Sequence, residues 1–166
     1  MDARLVIASK RDERNYDSSR SVPHDILERI LDAGRVSGSS SNRQRWRYLV
    51  VETAERRDAL AAAVYAPRNV RSAGLVVAVV GGGFDLGRTA QTMMLAAWNE
   101  GVLSCPNGIP DQSAVQRALG LGRDEEVGIV LSFGYPQGPR DPEAHPPEWW
   151  SRRANRKPLS ELVQRI

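Results

Sequence analysis

Apolar positions along the chain follow two rhythms. Ile26, Leu27, Ile30 and Leu31 recur on one helical face behind Pro23, a residue suited to opening a helix, and Gly34 marks its end. Leu86, Ala90, Met93, Met94, Ala97 and Trp98 cover so much of the helical circumference that residues 85–100 read as a central buried helix closed by Gly101. Continuous apolar runs at 48–51, 73–80 and 127–133, with a briefer one at 102–105, read instead as buried strands. Thr53 can cap a helix reaching Tyr65, and residues 2–9 and 113–119 suit shorter helices. Gly81-Gly82-Gly83 stops a strand, and Gly38-Ser39-Ser40-Ser41-Asn42 reads as a loop. Residues 137–147 carry four prolines and no periodicity, which predicts an extended arm, and 160–166 can add a last helical turn. Strands and helices interleave, so the expectation is one layered α/β or α+β domain over 1–166, with 137–166 as its C-terminal arm.

Composition narrows the class. With 166 residues, 41% hydrophobic and 26% charged, the chain suits one globular domain, which excludes a disordered or collagen-like protein. A single Cys105 forms no internal disulfide, and two histidines build no zinc site. The longest apolar run, Leu75 to Val80, is far short of a membrane span, and Leu5 to Ala8 is too short for a signal peptide, so a cytoplasmic protein without membrane contact is expected. Net charge is +3 and the pI is near 9.4, which permits an anionic ligand without demanding one. The basic residues are 21 Arg against two Lys. That bias suits phosphate binding, but it equally suits a GC-rich genome.

Three polar clusters carry the candidate chemistry: residues 10–14, 38–46 and 152–157. The outer two are cationic. The middle one combines small hydroxyls with the amides of Asn42 and Gln44, which donate and accept at once, as the mixed edge of a heteroaromatic ring requires. Each alone also reads as an ordinary loop or solvated face, so a site requires their convergence.

Their order resembles the FMN-dependent nitroreductase family. The basic opening segment matches Lys10-Arg11-Asp12-Glu13-Arg14-Asn15-Tyr16-Asp17, the Val-Pro helix matches Val22 to Arg35, and the Pro-Ser-x-x-Asn-x-Gln-Pro-Trp loop matches Gly38 to Trp46. The Ala-Gln helix core matches Ala90 to Ala97, the Gly-Tyr-Pro ending matches Gly134-Tyr135-Pro136, and the basic tail matches Arg156 to Val163. The resemblance implies an α+β fold with a central, mainly antiparallel sheet, and a homodimer holding FMN at its interface. It implies FMN phosphate at Lys10, Arg11, Arg14 and Arg156, and the ribityl chain and ring edge at Ser39, Ser40, Asn42 and Gln44. Pro106, Asn107 and Gly108 would bring a backbone N–H near flavin N5. The implied activity is ping-pong hydride transfer from NADH or NADPH to a nitroaromatic, quinone or similar acceptor, with no catalytic acid or base and no metal. Asp12 stands where the family has serine, and Gly38 and Arg45 where prolines are common. Asp12 keeps a second reading open: a relative that has lost FMN, or holds another phosphorylated or deazaflavin-type ligand without turnover. A nucleic-acid module is disfavoured, because the aromatics among the arginines are few and acids almost equal bases.

Overall fold

The computed structural model describes residues 1–166, which fold as two compact units: Arg11–Pro139, and a terminal unit of Met1–Lys10 with Arg140–Ile166. In the larger unit the elements are α2 (His24–Arg35), β1 (Arg47–Val50), α3 (Ala54–Ala62), α4 (Pro67–Ser72), β2 (Leu75–Val80), α5 (Gly83–Asn99), β3 (Leu103–Asn107), α6 (Gln112–Leu119) and β4 (Val127–Gly134). The four strands form one fully antiparallel sheet in the order β1-β2-β4-β3, the α+β arrangement expected. No helix is long and apolar enough to cross a membrane.

Alternation along the strands divides the core between two faces. Leu75, Val77, Val79, Leu131 and Phe133 join Ile30 of α2 and Leu86, Met93 and Ala97 of α5 in one apolar cluster. Each fully buried side chain of this kind contributes roughly 1.5–3 kcal/mol. The helices approach closely at Gly34, where a Cβ would stand 2.7 Å from Met93 Cγ. The intervening Val76, Ala78, Val130 and Ser132 are equally buried. On that side α4 and α6 pack against β4, and α3 against α4 and α6.

Caps follow the sequence signals. Thr53 accepts from the Arg56 N–H, Asp111 from Ala114, and Gly120 ends α6 in the left-handed region at φ 71°. Four features depart from the expected elements within this unit: α4 is an additional helix, β3 runs on through Pro106 to Asn107 instead of stopping at Cys105, α3 stops at Ala62 short of Tyr65, and Ser40–Asn42 forms a 3-10 turn in the loop. As an edge strand β3 tolerates a proline that donates nothing to the ladder.

The terminal unit holds α1 (Ala3–Ser9), capped by Asp2, a 3-10 turn at Pro142–Ala144, α7 (Pro147–Arg153) and α8 (Leu159–Leu162). The arm is therefore partly helical: Pro146 and Pro147 open α7 rather than sustaining an extended chain. α1 packs against α7, Arg4 pairs with Glu148 at 2.6 Å, and His145 stacks on Trp149 at 3.7 Å.

Candidate functional site

Two groups of site residues form in the larger unit, each around a different edge strand. At the β3 edge, the Asp12 backbone bridges in parallel to Ser104, and the Glu13 N–H donates to the Ser104 carbonyl at 3.1 Å. This brings exposed Arg14 to Cys105, where its Nε donates to Sγ at 3.4 Å. That bond is the largest cause of the raised pKa of Arg14. Tyr16, 2% exposed, donates to the Ser132 carbonyl at 3.1 Å and shares a hydrogen bond with its hydroxyl.

Asn107, the last residue of β3, is 1% exposed. Its Nδ2 reaches the carbonyls of Cys105 and Val130, both at 3.1 Å, and Ser132 Oγ at 3.0 Å. Its Oδ1 accepts from Asn69 of α4 at 3.0 Å. The Asn107 side chain is thus committed to the interior, so what it offers a ligand is its backbone. Gly108 follows, exposed and overlaid by Tyr65: a Cβ there would stand 3.0 Å from the ring, and the Tyr65 N–H donates to the Gly108 carbonyl.

The second group is the loop entering β1. Ser41, Asn42 and Gln44 all take positive φ, at 52°, 54° and 49°, a conformation uphill for residues with a Cβ and one that clusters at functional sites. The Gln44 N–H donates to Ser39 Oγ at 2.9 Å, and Gln44 Nε2 to the backbone and side-chain oxygens of Asn42. The Asn42 Nδ2 donor and the Gln44 Oε1 acceptor take no partner within the chain. Beside the loop, a cleft of about 330 Å³ is lined by Ser40, Arg43, Arg45, Gly82, Gly83, Phe84 and Asp85.

Register separates the two groups. Arg47 lies in the row of Val80 and Val127, while Ser104 lies in the row of Phe133 and Leu75. β1 and β3 are opposite edges, so about 14 Å of sheet width lies between them at roughly 4.8 Å per strand, with several residues of offset along the strands. The groups occupy diagonal corners. Lys10 and Arg156 belong to the terminal unit, where the Lys10 N–H closes α1 on Val6 and Arg156 follows Asn155, a further residue at positive φ.

Comparison with known proteins gives this arrangement its class. The Nitroreductase family model matches residues 7–82 and 80–135, and the chain belongs to that family. No curated protein sequence matches the chain closely enough to count as a relative. Among solved structures, a nitroreductase family protein of Clostridium difficile 630 is 26% identical with a TM-score of 0.81, over 99% of this chain and 98% of its own. An Exiguobacterium sibiricum 255-15 protein, solved in complex with FMN, is 20% identical with a TM-score of 0.81, over 100% and 98%. Nitroreductase A of Vibrio parahaemolyticus is 23% identical with a TM-score of 0.74, over 85% and 71%. The α+β fold and the resemblance read from the motifs both hold.

Asn69, Cys105 and Asp85 extend the set that sequence reasoning picked out. Tyr16 and Cys105 had a signal, one as the aromatic after the basic segment and the other as the residue before Pro106. Asn69 had none.

Proposed function

We propose that the protein is an FMN-dependent oxidoreductase that takes electrons from NADH or NADPH and passes them to a nitroaromatic, quinone or similar small acceptor. Family membership supports the class, and the donor chemistry of the two corners fits the group. Arg11 and Arg14 supply guanidinium cations for the phosphate, where charge-assisted hydrogen bonds are the strong kind. Lys10 and Arg156 join them on the strength of the family motif alone. Ser39, Ser40, Asn42 and Gln44 orient the ribityl chain and ring edge, and the unspent Asn42 donor and Gln44 acceptor suit an edge that presents both kinds of group. After Pro106, which has no N–H, the backbone of Asn107 or Gly108 offers the donor near N5. It would stabilise negative charge there without transferring a proton. When bound, FMN supplies both hydride acceptance and hydride delivery in a ping-pong cycle, so no side chain acts as acid or base.

One observation carries the assembly. The cationic group and the amide loop lie at opposite edges of one sheet, so a single flavin reading both would have to cross the protein's own core. A homodimer resolves this, with the loop of one protomer completing the cationic half of its partner.

The visible spectrum before and after adding FMN tests the cofactor, and oxidation of NADH and NADPH with a quinone and a nitroaromatic tests the activity. A protein that shows no flavin band after reconstitution refutes the reading, and so does a stable FMN-bound monomer in light scattering for the shared site. Asp12, whose negative charge acts on Arg14 and opposes a phosphate, keeps the second reading open: a relative that has lost FMN, or holds another phosphorylated or deazaflavin-type ligand without turnover. Tight flavin binding with no reduction by either nucleotide would select it.

A further inference from the structure

We infer that Asp85 is the positioning residue for the loop that reads the flavin edge, with Arg88 as its second arm; the inference rests on the flavin reading above. Residues 39–44 contain no buried side chain, so no core packing holds three non-glycine residues in the left-handed region. Backbone bonds must hold the loop, and the bond that comes from outside it is made by α5. Asp85 Oδ2 accepts from the Ser40 N–H at 2.9 Å. Its Oδ1 accepts from Arg88 at 3.3 Å, and the Arg88 guanidinium lies against Gly38, where a Cβ would stand 2.6 Å from its Nη2. One carboxylate thus grips the loop at Ser40 and directs the cation that seats it at Gly38. Position 85 falls in the first turn of α5, where the helix dipole favours a negative charge. Glycine at 38, where the family commonly has proline, leaves room for the guanidinium to lie against the backbone.

The test titrates wild-type protein, Asp85→Ala, Asp85→Asn and Arg88→Ala with FMN and with riboflavin, and follows amide hydrogen exchange over residues 38–46 without flavin. Asp85→Ala should lose protection at the Ser40 amide and weaken both flavins by a similar factor of roughly ten, the value of one hydrogen bond to a charged group. Asp85→Asn keeps an acceptor oxygen and should stay within about threefold of wild type, and Arg88→Ala should lose about as little, because a surface ion pair contributes little. A purely structural role would lower the melting temperature without this matched loss. Unchanged exchange in Asp85→Ala, an asparagine variant as weak as alanine, or a loss confined to FMN would each overturn the inference. Wild-type protein that binds neither flavin would instead remove the flavin reading, and the exchange data would still decide whether Asp85 holds the loop.

Discussion

The two halves of the candidate site are built on opposite principles. The β3 half is made rigid by buried polar groups that satisfy one another: Tyr16, Asn69, Cys105, Asn107 and Ser132 form one network on the face of the sheet. The loop half is exposed, conformationally strained and held by a few backbone bonds, including one from Asp85. A buried network is unforgiving, because a lost partner leaves a desolvated group behind. An exposed loop is forgiving of stability but not of geometry, since water replaces any partner it loses. Under the proposed flavin reading, fixed donors at one corner and an adjustable reader at the other would suit one retained cofactor with successive substrates exchanging over it.

The largest expected effect breaks the rigid half. Asn107→Ala would strip partners from Asn69, Ser132 Oγ and two carbonyls at once, and should cost about 3 kcal/mol or more in urea unfolding. Asn42→Ala in the exposed loop loses asparagine's tolerance of the left-handed region and should cost only about 1 kcal/mol. Equal costs at the two positions would erase the contrast.

Next is Arg14→Ala, which should weaken FMN roughly ten- to hundredfold, the range of a lost charge-assisted hydrogen bond, and leave riboflavin binding and stability nearly unchanged. Isothermal titration with the two ligands checks this. A matched loss on riboflavin would mean that Arg14 contacts the ring or supports the fold, and the phosphate would have to be reassigned.

How far such a site could be read in advance differs between its halves. The loop is contiguous, so its hydroxyls and amides announce themselves between Gly38 and Trp46. The network draws on residues 16, 69, 105, 107 and 132, which no local pattern relates, and Cys105 meets its cation across 91 positions of sequence. The elements divide in the same way. Periodic α2 and α5 and the valine-rich β2 were legible, whereas α4, six residues with Arg68, Asn69 and Arg71 among them, shows no apolar repeat. α7 was hidden by the prolines that open it.

A third expectation concerns pH. Burial is the largest cause of the raised pKa of the Tyr16 phenol, with the Ser132 hydrogen bond opposing it. An unfolded tyrosine ionises near 10 while the folded one stays neutral, so the unfolded state loses its proton first. The stability Tyr16 contributes is complete below pH 10, and above it stability should fall by about 1.4 kcal/mol per pH unit until the folded phenol also ionises. Tyr16→Phe should flatten that slope in alkaline unfolding and cost about 1 kcal/mol at neutral pH. An unchanged slope would show that the network is wetter than its geometry implies.

The smallest effect sharpens the loop half. Ser41 stands at φ 52°, and its hydroxyl has no partner within the chain. Its left-handed conformation costs roughly 1–2 kcal/mol, which Ser41→Gly would relieve. Glycine adds about 0.4–1 kcal/mol of unfolded-state entropy against the fold, leaving a net gain between about zero and about 1.6 kcal/mol, centred near 0.8 kcal/mol. The loop would then be more stable yet less confined to one shape, so a rise in melting temperature should accompany weaker flavin binding. Tighter flavin binding together with the higher melting temperature would mean that the left-handed strain at Ser41 hinders the bound shape of the loop instead of confining the loop to it.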